Sequence, residues 1–257
     1  MEDLKFALVQ IDLIWEDVSS NLKKFDNFLT QVDSDTDVIV LPEMFSTGFS
    51  MNSKKLAEEM DGTTVKWMIS RADEKNTAVL GSVIIHESEK YYNRMIWVEP
   101  NGDISFYDKK HLFKLSGEHE SYTAGTKKLI VNWKGWRICP LVCYDLRFPE
   151  WSRNGGEFDI LIYSANWPKP RSEHWRSLIK ARAIENQCFT IGVNRIGEDG
   201  NGLEYIGATS SYDYSGGLLC ESINEEKIDH VVFDKSGLDF YRMKFPFLSD
   251  QEDNSET

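Results

Sequence analysis

The sequence predicts a mixed α/β fold with helices packed outside β-sheets. Short apolar runs rich in strand formers recur along the whole chain. The segments between them carry helical signals, and the strand-then-helix rhythm of the first half returns in the second. Layered α/β folds produce that alternation. The chain has 257 residues, 41% hydrophobic and 28% charged, which suffices for one large domain with a substantial core.

Leu4 to Ile11 is an apolar strand. Asn21 to Val32 places Leu22, Phe25, Phe28, Leu29 and Val32 on one helical face, with Ser19 or Ser20 as cap. Val38 to Leu41 is a strand stopped by Pro42, and Thr64 to Lys75 is a second helix. Ala78 to Ile85 and Tyr91 to Val98 read as paired strands. After the turn Pro100-Asn101-Gly102-Asp103, Ile104 to Tyr107 is another strand. Lys128 to Trp133 and Trp136 to Cys143 form a hairpin around Lys134-Gly135. Asp159 to Ala165 is a strand, and Ser172 to Gln187 a helix capped by Ser172. Cys188 to Val193, Ile206 to Tyr212 and Lys227 to Val232 are the remaining strands, with a turn at Ser215-Gly216-Gly217. No linker or periodic repeat interrupts residues 1–248, which read as one domain, and residues 249–257 read as an acidic, disordered tail.

Composition excludes several functions. Lys and Arg total 29 against 42 Asp and Glu, a net charge of −13. That charge repels phosphate backbones and anionic membrane surfaces, so neither nucleic acid nor membrane is an expected partner. No stretch approaches the about 20 apolar residues of a membrane helix, and the acidic start lacks the pattern of a secretory signal. Cys139, Cys143, Cys188 and Cys220 are too few for a disulfide scaffold, and no pair has zinc-knuckle spacing. They read as reduced thiols in a cytoplasmic protein, with no metal and no cofactor.

Three polar residues end or directly follow strongly apolar segments. Glu43 follows Val38–Leu41 and Pro42, Lys109 follows Ile104–Tyr107, and Cys143 ends Trp136–Val142. Strand ends of such folds open into a ligand crevice, so the three can converge. Their chemistry is coherent. A lysine ammonium favours a neighbouring thiolate. A carboxylate can take the thiol proton and pass it to a leaving amine. The lysine can also donate to the oxyanion of a tetrahedral intermediate.

The three segments resemble the signatures of the nitrilase superfamily, carbon–nitrogen hydrolases with a Glu-Lys-Cys triad. Leu41-Pro42-Glu43-Met44 is similar to the segment of the general base. Tyr107-Asp108-Lys109-Lys110-His111-Leu112-Phe113 looks like the lysine segment, with Lys109 rather than Lys110 in the catalytic slot. Cys143-Tyr144-Asp145-Leu146-Arg147-Phe148-Pro149 looks like the nucleophile motif, and the likeness runs from Leu4 to about Val232. Asn166-Trp167-Pro168, Arg171, Trp175, the run Ala181 to Gln187 and the run Asn194 to Gly200 look like the omega-amidase branch. That branch deamidates 2-oxoglutaramate and 2-oxosuccinamate. The family's fourth carboxylate stands seven residues before a glycine, which Glu118 before Gly125 matches; Glu120 is a nearby competitor. One departure is visible: relatives often carry serine two residues after the glycine that Gly207 matches, and here that slot is Thr209.

The resemblance implies an α-β-β-α sandwich, a homodimer, and a small-molecule amide substrate hydrolysed through a cysteine thioester. It implies Glu43, Lys109, Cys143 and Glu118 as catalytic residues and the backbone N–H of Tyr144 as an oxyanion donor. Asn166, Trp167 and Arg171 are the implied substrate-binding residues, with Arg147 and Arg195 as rivals for the substrate carboxylate or as structural ion pairs. His111, which would permit a Cys-His pair, reads as structural. Cys139 lies about 13 Å behind Cys143 at about 3.3 Å per residue and reads as core, like Cys188 and Cys220. Among the tryptophans only Trp167 is a pocket candidate. The alternatives are another amidase of the superfamily such as an N-carbamoyl-amine hydrolase, a nitrile hydrolase, or a non-catalytic binding protein.

Overall fold

Central strands apolar on both faces need cover on both faces, and the computed structural model, which describes residues 3–251, supplies it with two stacked β-sheets and outer helices. The first half contains β1 (Leu4–Gln10), α1 (Val18–Phe28), β2 (Val38–Val40), α2 (Ser53–Leu56), α3 (Thr63–Lys75), β3 (Ala78–Glu87), β4 (Lys90–Val98), β5 (Ile104–Asp108) and α4 (Glu118–Ser121). The second contains β6 (Val131–Trp133), β7 (Trp136–Val142), α5 (Pro149–Ser152), β8 (Ile160–Ala165), α6 (Ser172–Asn186), β9 (Phe189–Asn194), β10 (Ile196–Glu198), β11 (Glu204–Tyr212), β12 (Leu218–Ile223), β13 (Lys227–Phe233) and α7 (Lys235–Lys244).

Among the described residues the first sheet runs β13-β1-β2-β3-β4-β5, and the second runs β10-β11-β9-β8-β7-β6 with β12 also on β11. Strands β1, β2 and β3 are parallel, as are β7, β8 and β9, and antiparallel strands flank both cores. Alternation along β1 sends Leu4, Phe6 and Leu8 into the layer shared with Ile138, Ile160 and Ile191 of the second sheet. Ala7 and Val9 face the opposite way, onto Phe25 of α1 and Val65 and Met68 of α3. Strand β5 is antiparallel to β4, itself antiparallel to β3, so β5 ends on the same edge as the parallel strands. The segments after β2, β5, β7 and β8 therefore meet at one edge.

Several local expectations are corrected. Asp17, not Ser19 or Ser20, caps α1, accepting the N–H of Ser20 at 3.0 Å. The serines fall inside the first turn because α1 starts at Val18, and its end passes into a 3₁₀ turn at Leu29–Gln31. Ser172 is the first residue of α6 and makes no capping bond, since the chain enters from a 3₁₀ turn at Lys169–Arg171. β10, β12, α7 and the short helices α2, α4 and α5 are not among the elements expected from the sequence. Asp234 caps α7 by accepting from Ser236 and Gly237. Cys220 lies half-buried on β12 rather than in the core, whereas Cys139 and Cys188 are fully buried; all four cysteines are free.

Residues 247–250 form a 3₁₀ turn, and Gln251 donates to the Asn154 carbonyl at 2.8 Å. The rest of the expected tail, residues 252–257, lies outside the described residues. Among the described residues no helix is long and apolar enough to cross a membrane.

Candidate active site

Three strand ends and the start of a short helix deliver one polar cluster. Glu43 follows β2 through Leu41-Pro42, Lys109 follows β5 directly, and Cys143 follows β7. Glu118 opens α4, reached through Gly117, whose φ of 78° permits the tight entry. Glu43, Lys109 and Glu118 are fully buried.

Lys109 Nζ donates to Glu43 Oε1 at 2.8 Å, to Glu118 Oε1 at 2.9 Å and to Glu118 Oε2 at 3.0 Å. The backbone N–H of Phe113 donates to Glu118 Oε2 at 2.5 Å. The backbone N–H of Asn166, just after β8, donates to Glu43 Oε2 at 2.9 Å. Glu120 is exposed and lies outside the cluster that Glu118 joins.

Cys143 sits at φ 42°, a left-handed conformation rare for a side-chain-bearing residue. It opens a 3₁₀ turn, Cys143–Arg147, whose early N–H groups, that of Tyr144 among them, find no partner within the turn. Asp145 anchors this elbow. Its carboxylate accepts from the Val142 N–H at 3.1 Å, the Tyr107 hydroxyl at 2.7 Å and the His111 N–H at 2.9 Å. The His111 ring lies 2.8 Å from the same carboxylate and stacks on Phe148, so the histidine is structural, as expected.

Electrostatics set the resting protonation. Burial pushes the Cys143 thiol well above its ordinary value, Glu43 pushes it the same way, and Lys109 only partly offsets them. Lys109 does favour the thiolate, as expected, but burial and Glu43 outweigh it. Burial disfavours the Lys109 ammonium, but Glu118 and then Glu43 outweigh it and hold the group above its ordinary value. Burial raises the Glu118 carboxyl above the usual carboxylate range, with Lys109 opposing and Glu43 adding to the rise.

Above the cluster lies a cavity of about 530 Å³, lined by Lys109, Cys143, Tyr144, Asn166, Trp167, Arg147 and Arg171 among others. The volume suits a small metabolite. Trp167 donates its ring N–H to the Arg171 carbonyl at 2.7 Å, which ties the aromatic wall to the arginine's backbone. The Arg171 guanidinium lies 5.5 Å from the Phe113 ring, and that of Arg147 lies 4.7 Å from the Trp167 ring. Arg147 also contacts the His174 ring at 3.1 Å. Neither arginine pairs with a carboxylate among the described residues, so the structural ion pair considered for Arg147 is not formed. Arg195 is that structural pair: fully buried, it donates to Asp12 at 2.7 Å and to three backbone carbonyls.

Asn166 lines the cavity, yet most of its bonds serve Glu43, whose carbonyl accepts its side-chain amide at 2.6 Å. Thr209 is fully buried and bonds Asn194, which in turn holds the Trp167 N–H at 2.8 Å. The Ser-to-Thr departure therefore falls behind the cavity wall. Sequence reasoning missed Trp15, Phe49 and Tyr205, which also line the cavity, and Asn93, which bonds both glutamates. Trp15 and Phe49 stand in loops and carry no periodic signal, and Tyr205 lies in β11 just before the strand the sequence predicts from Ile206. Asn93 had one available sign: it is polar within the apolar run of β4. Among the described residues no group of His, Cys, Asp and Glu is arranged to hold a metal ion.

Comparison with known proteins adds to this geometry. The family model for carbon-nitrogen hydrolase matches residues 5–234. Omega-amidase YafV of Escherichia coli K12 is 44% identical over 255 residues, covering 98% of each chain. The 2-oxoglutaramate amidase of Bacillus subtilis is 34% identical over 249 residues, covering 95% of this chain and 96% of its own. The crystal structure of XC1258 from Xanthomonas campestris, a CN-hydrolase superfamily protein with an arsenic adduct in its active site, superposes with a TM-score of 0.97 at 39% identity, covering all of both chains.

Proposed function

The chain belongs to the carbon–nitrogen hydrolase family, and from that premise we propose that it is an omega-amidase. It hydrolyses the terminal amide of a dicarboxylate monoamide such as 2-oxoglutaramate, 2-oxosuccinamate or succinamate. One observation carries the substrate class: the cavity over Cys143, Glu43 and Lys109 is lined by two arginines, Arg147 and Arg171, that lack carboxylate partners among the described residues. A net charge of −13 repels an anionic substrate at long range, so local cations must receive it. A guanidinium offers two parallel donors to a carboxylate. The same arginines disfavour a cationic substrate such as N-carbamoylputrescine.

The neutral resting thiol defines the first step. Glu43 takes the proton of Cys143 as the sulfur electron pair attacks the amide carbon. Lys109 and the Tyr144 N–H hold the oxyanion, and Lys109 gives up one of its two bonds to Glu118 to do so. The C–N bond then breaks, the proton passes from Glu43 to the departing nitrogen, and ammonia leaves a thioester. Water, deprotonated by Glu43, adds to the thioester carbon and releases the dicarboxylate and the thiol. Glu118 keeps the lysine in place and shares its charge. Trp167 and Asn166 form the wall against which the substrate chain lies.

The same reading makes the protein a homodimer. Ile184, Leu218, Leu219, Phe240, Met243 and Phe247 are exposed. Tyr214 packs its ring 4.9 Å from Tyr241 of α7, which links the β11–β12 turn to that helix, and we take these exposed apolar residues as the contact with a second copy. Ammonia release from 2-oxoglutaramate, succinamate, N-carbamoylputrescine and glutamine, measured side by side, tests the assignment. Turnover confined to N-carbamoylputrescine would overturn it.

A further inference from the structure

The Asn93 side chain reaches both buried glutamates at once. Its Nδ2 donates to Glu43 Oε1 at 2.8 Å and to Glu118 Oε1 at 3.2 Å, and the residue is fully buried. Its own Oδ1 has no hydrogen-bond partner. The reverse orientation of the amide would press that oxygen against two carboxylate oxygens. A buried acceptor without a partner costs stability. What the asparagine gains lies on its donor side.

A carboxylate offers about four lone-pair sites. Lys109 and Asn93 occupy both sites on Glu43 Oε1, and the Asn166 N–H occupies one on Oε2. One site on Oε2 is taken by none of these three donors, and the Cys143 thiol also hydrogen-bonds the Glu43 carboxylate. We propose that Asn93 is a positioning residue that, together with Lys109, closes Oε1 to protons and makes Oε2 the atom of Glu43 that exchanges the proton with Cys143 and the leaving nitrogen. The inference rests on Glu43 being the general base. The S–H bond breaks as the Oε2–H bond forms, and the sulfur electron pair goes to the amide carbon. The same Oε2–H then protonates the nitrogen as the C–N bond breaks. By donating to Glu118 Oε1 as well, Asn93 keeps the second carboxylate turned toward Lys109, away from this path.

Removing Asn93's donors opens Oε1 and raises the proton affinity of the carboxylate pair. The titratable groups facing that pair are Lys109, Cys143 and Tyr122. The backbone of Asn93 bonds independently of its side chain, its carbonyl accepting the Lys109 N–H at 3.0 Å, so substitution leaves the strand pairing in place.

The test is the pH profile of kcat/KM for succinamate in wild type, Asn93→Ser, which keeps one donor, and Asn93→Ala, which keeps none. kcat should fall by about 10–100-fold in Asn93→Ala, the worth of one hydrogen bond to a charged group, with KM changed by less than about threefold. The acid limb should move upward by about one pH unit in Asn93→Ala, with Asn93→Ser between it and wild type. Coincident acid limbs would overturn the proposal, as would loss of folding in both variants, which would make Asn93 structural. Glu43→Gln is the separate control: wild-type turnover in that variant would defeat the general-base reading itself, whatever the Asn93 variants do.

Discussion

Lys109 Nζ lies 2.8 Å from Glu43 Oε1, and neither side chain reaches solvent. With Glu118 on its other side, the lysine is, among the described residues, the one cation paired with both buried carboxylates. Its charge therefore holds the site together, and in the proposed mechanism it also serves an oxyanion.

Lys109→Met should accordingly do more than slow the reaction. The rate should fall at least about 10²-fold, and removing one partner of a buried pair should cost about 3–5 kcal/mol. Burial already raises the Glu118 carboxyl, and without Lys109 to oppose it that group binds its proton still more tightly in the fold than in the unfolded chain. The variant's stability should then be best retained at low pH and lost as pH rises through and above the usual carboxylate range. Melting at pH 5 and pH 8 checks this, and equal loss at both would refute it. Lys110, whose ammonium rests 5.5 Å over the Trp151 ring, should tolerate the same change with little effect.

The thiol offers a second check. Burial and Glu43 hold Cys143 protonated at rest. Thiolate absorbance, compared between wild type and Cys143→Ser, should show no step assignable to Cys143 from pH 5 to about pH 8.5, the ordinary cysteine value. A step near pH 7 or below would mean a resting thiolate and a first step without Glu43.

Substrate recognition is tested at the arginines. Arg171→Met should raise KM for succinamate by about 10–100-fold, the worth of about 1.5–3 kcal/mol in a charged hydrogen bond. Arg147→Met should act in the same direction, because both line the cavity. An uncharged amide of similar length should be hydrolysed as before by both variants. Arg195→Met should instead lower the melting temperature, since it leaves three backbone carbonyls and the half-exposed Asp12 without the buried guanidinium they bond. Equal losses on charged and uncharged amides would make Arg171 a support of the fold.

Sedimentation velocity should give twice the chain mass, and Phe240→Asp should shift it toward the monomer without unfolding. An unchanged mass in that variant would move the interface elsewhere.

How far the residues announced this arrangement follows from their surroundings. β1, β2, β7, β8 and β9 were readable because strands covered on both faces must be apolar throughout. Glu43, Lys109 and Cys143 stood out as polar residues at the ends of such strands, and Glu118 by its spacing to Gly125. β12 escaped because it exposes Leu218 and Leu219, blurring the alternation that marks a half-buried strand. α7 escaped because Gly237 sits near its start, and glycine weakens a helical signal. Trp15, Phe49 and Tyr205 reach the cavity from separate parts of the chain, which only the tertiary fold unites. Arg147 was weighed as an ion pair because sequence does not show which neighbours lack a carboxylate.

The most direct test is intact-mass analysis of enzyme mixed with succinamate and quenched in acid within one turnover. The thioester mechanism predicts a succinyl adduct on Cys143, formed with one ammonia per adduct and absent from Cys143→Ala, which should fold but not turn over. Ammonia release by Cys143→Ala, or an adduct on another residue, would contradict it.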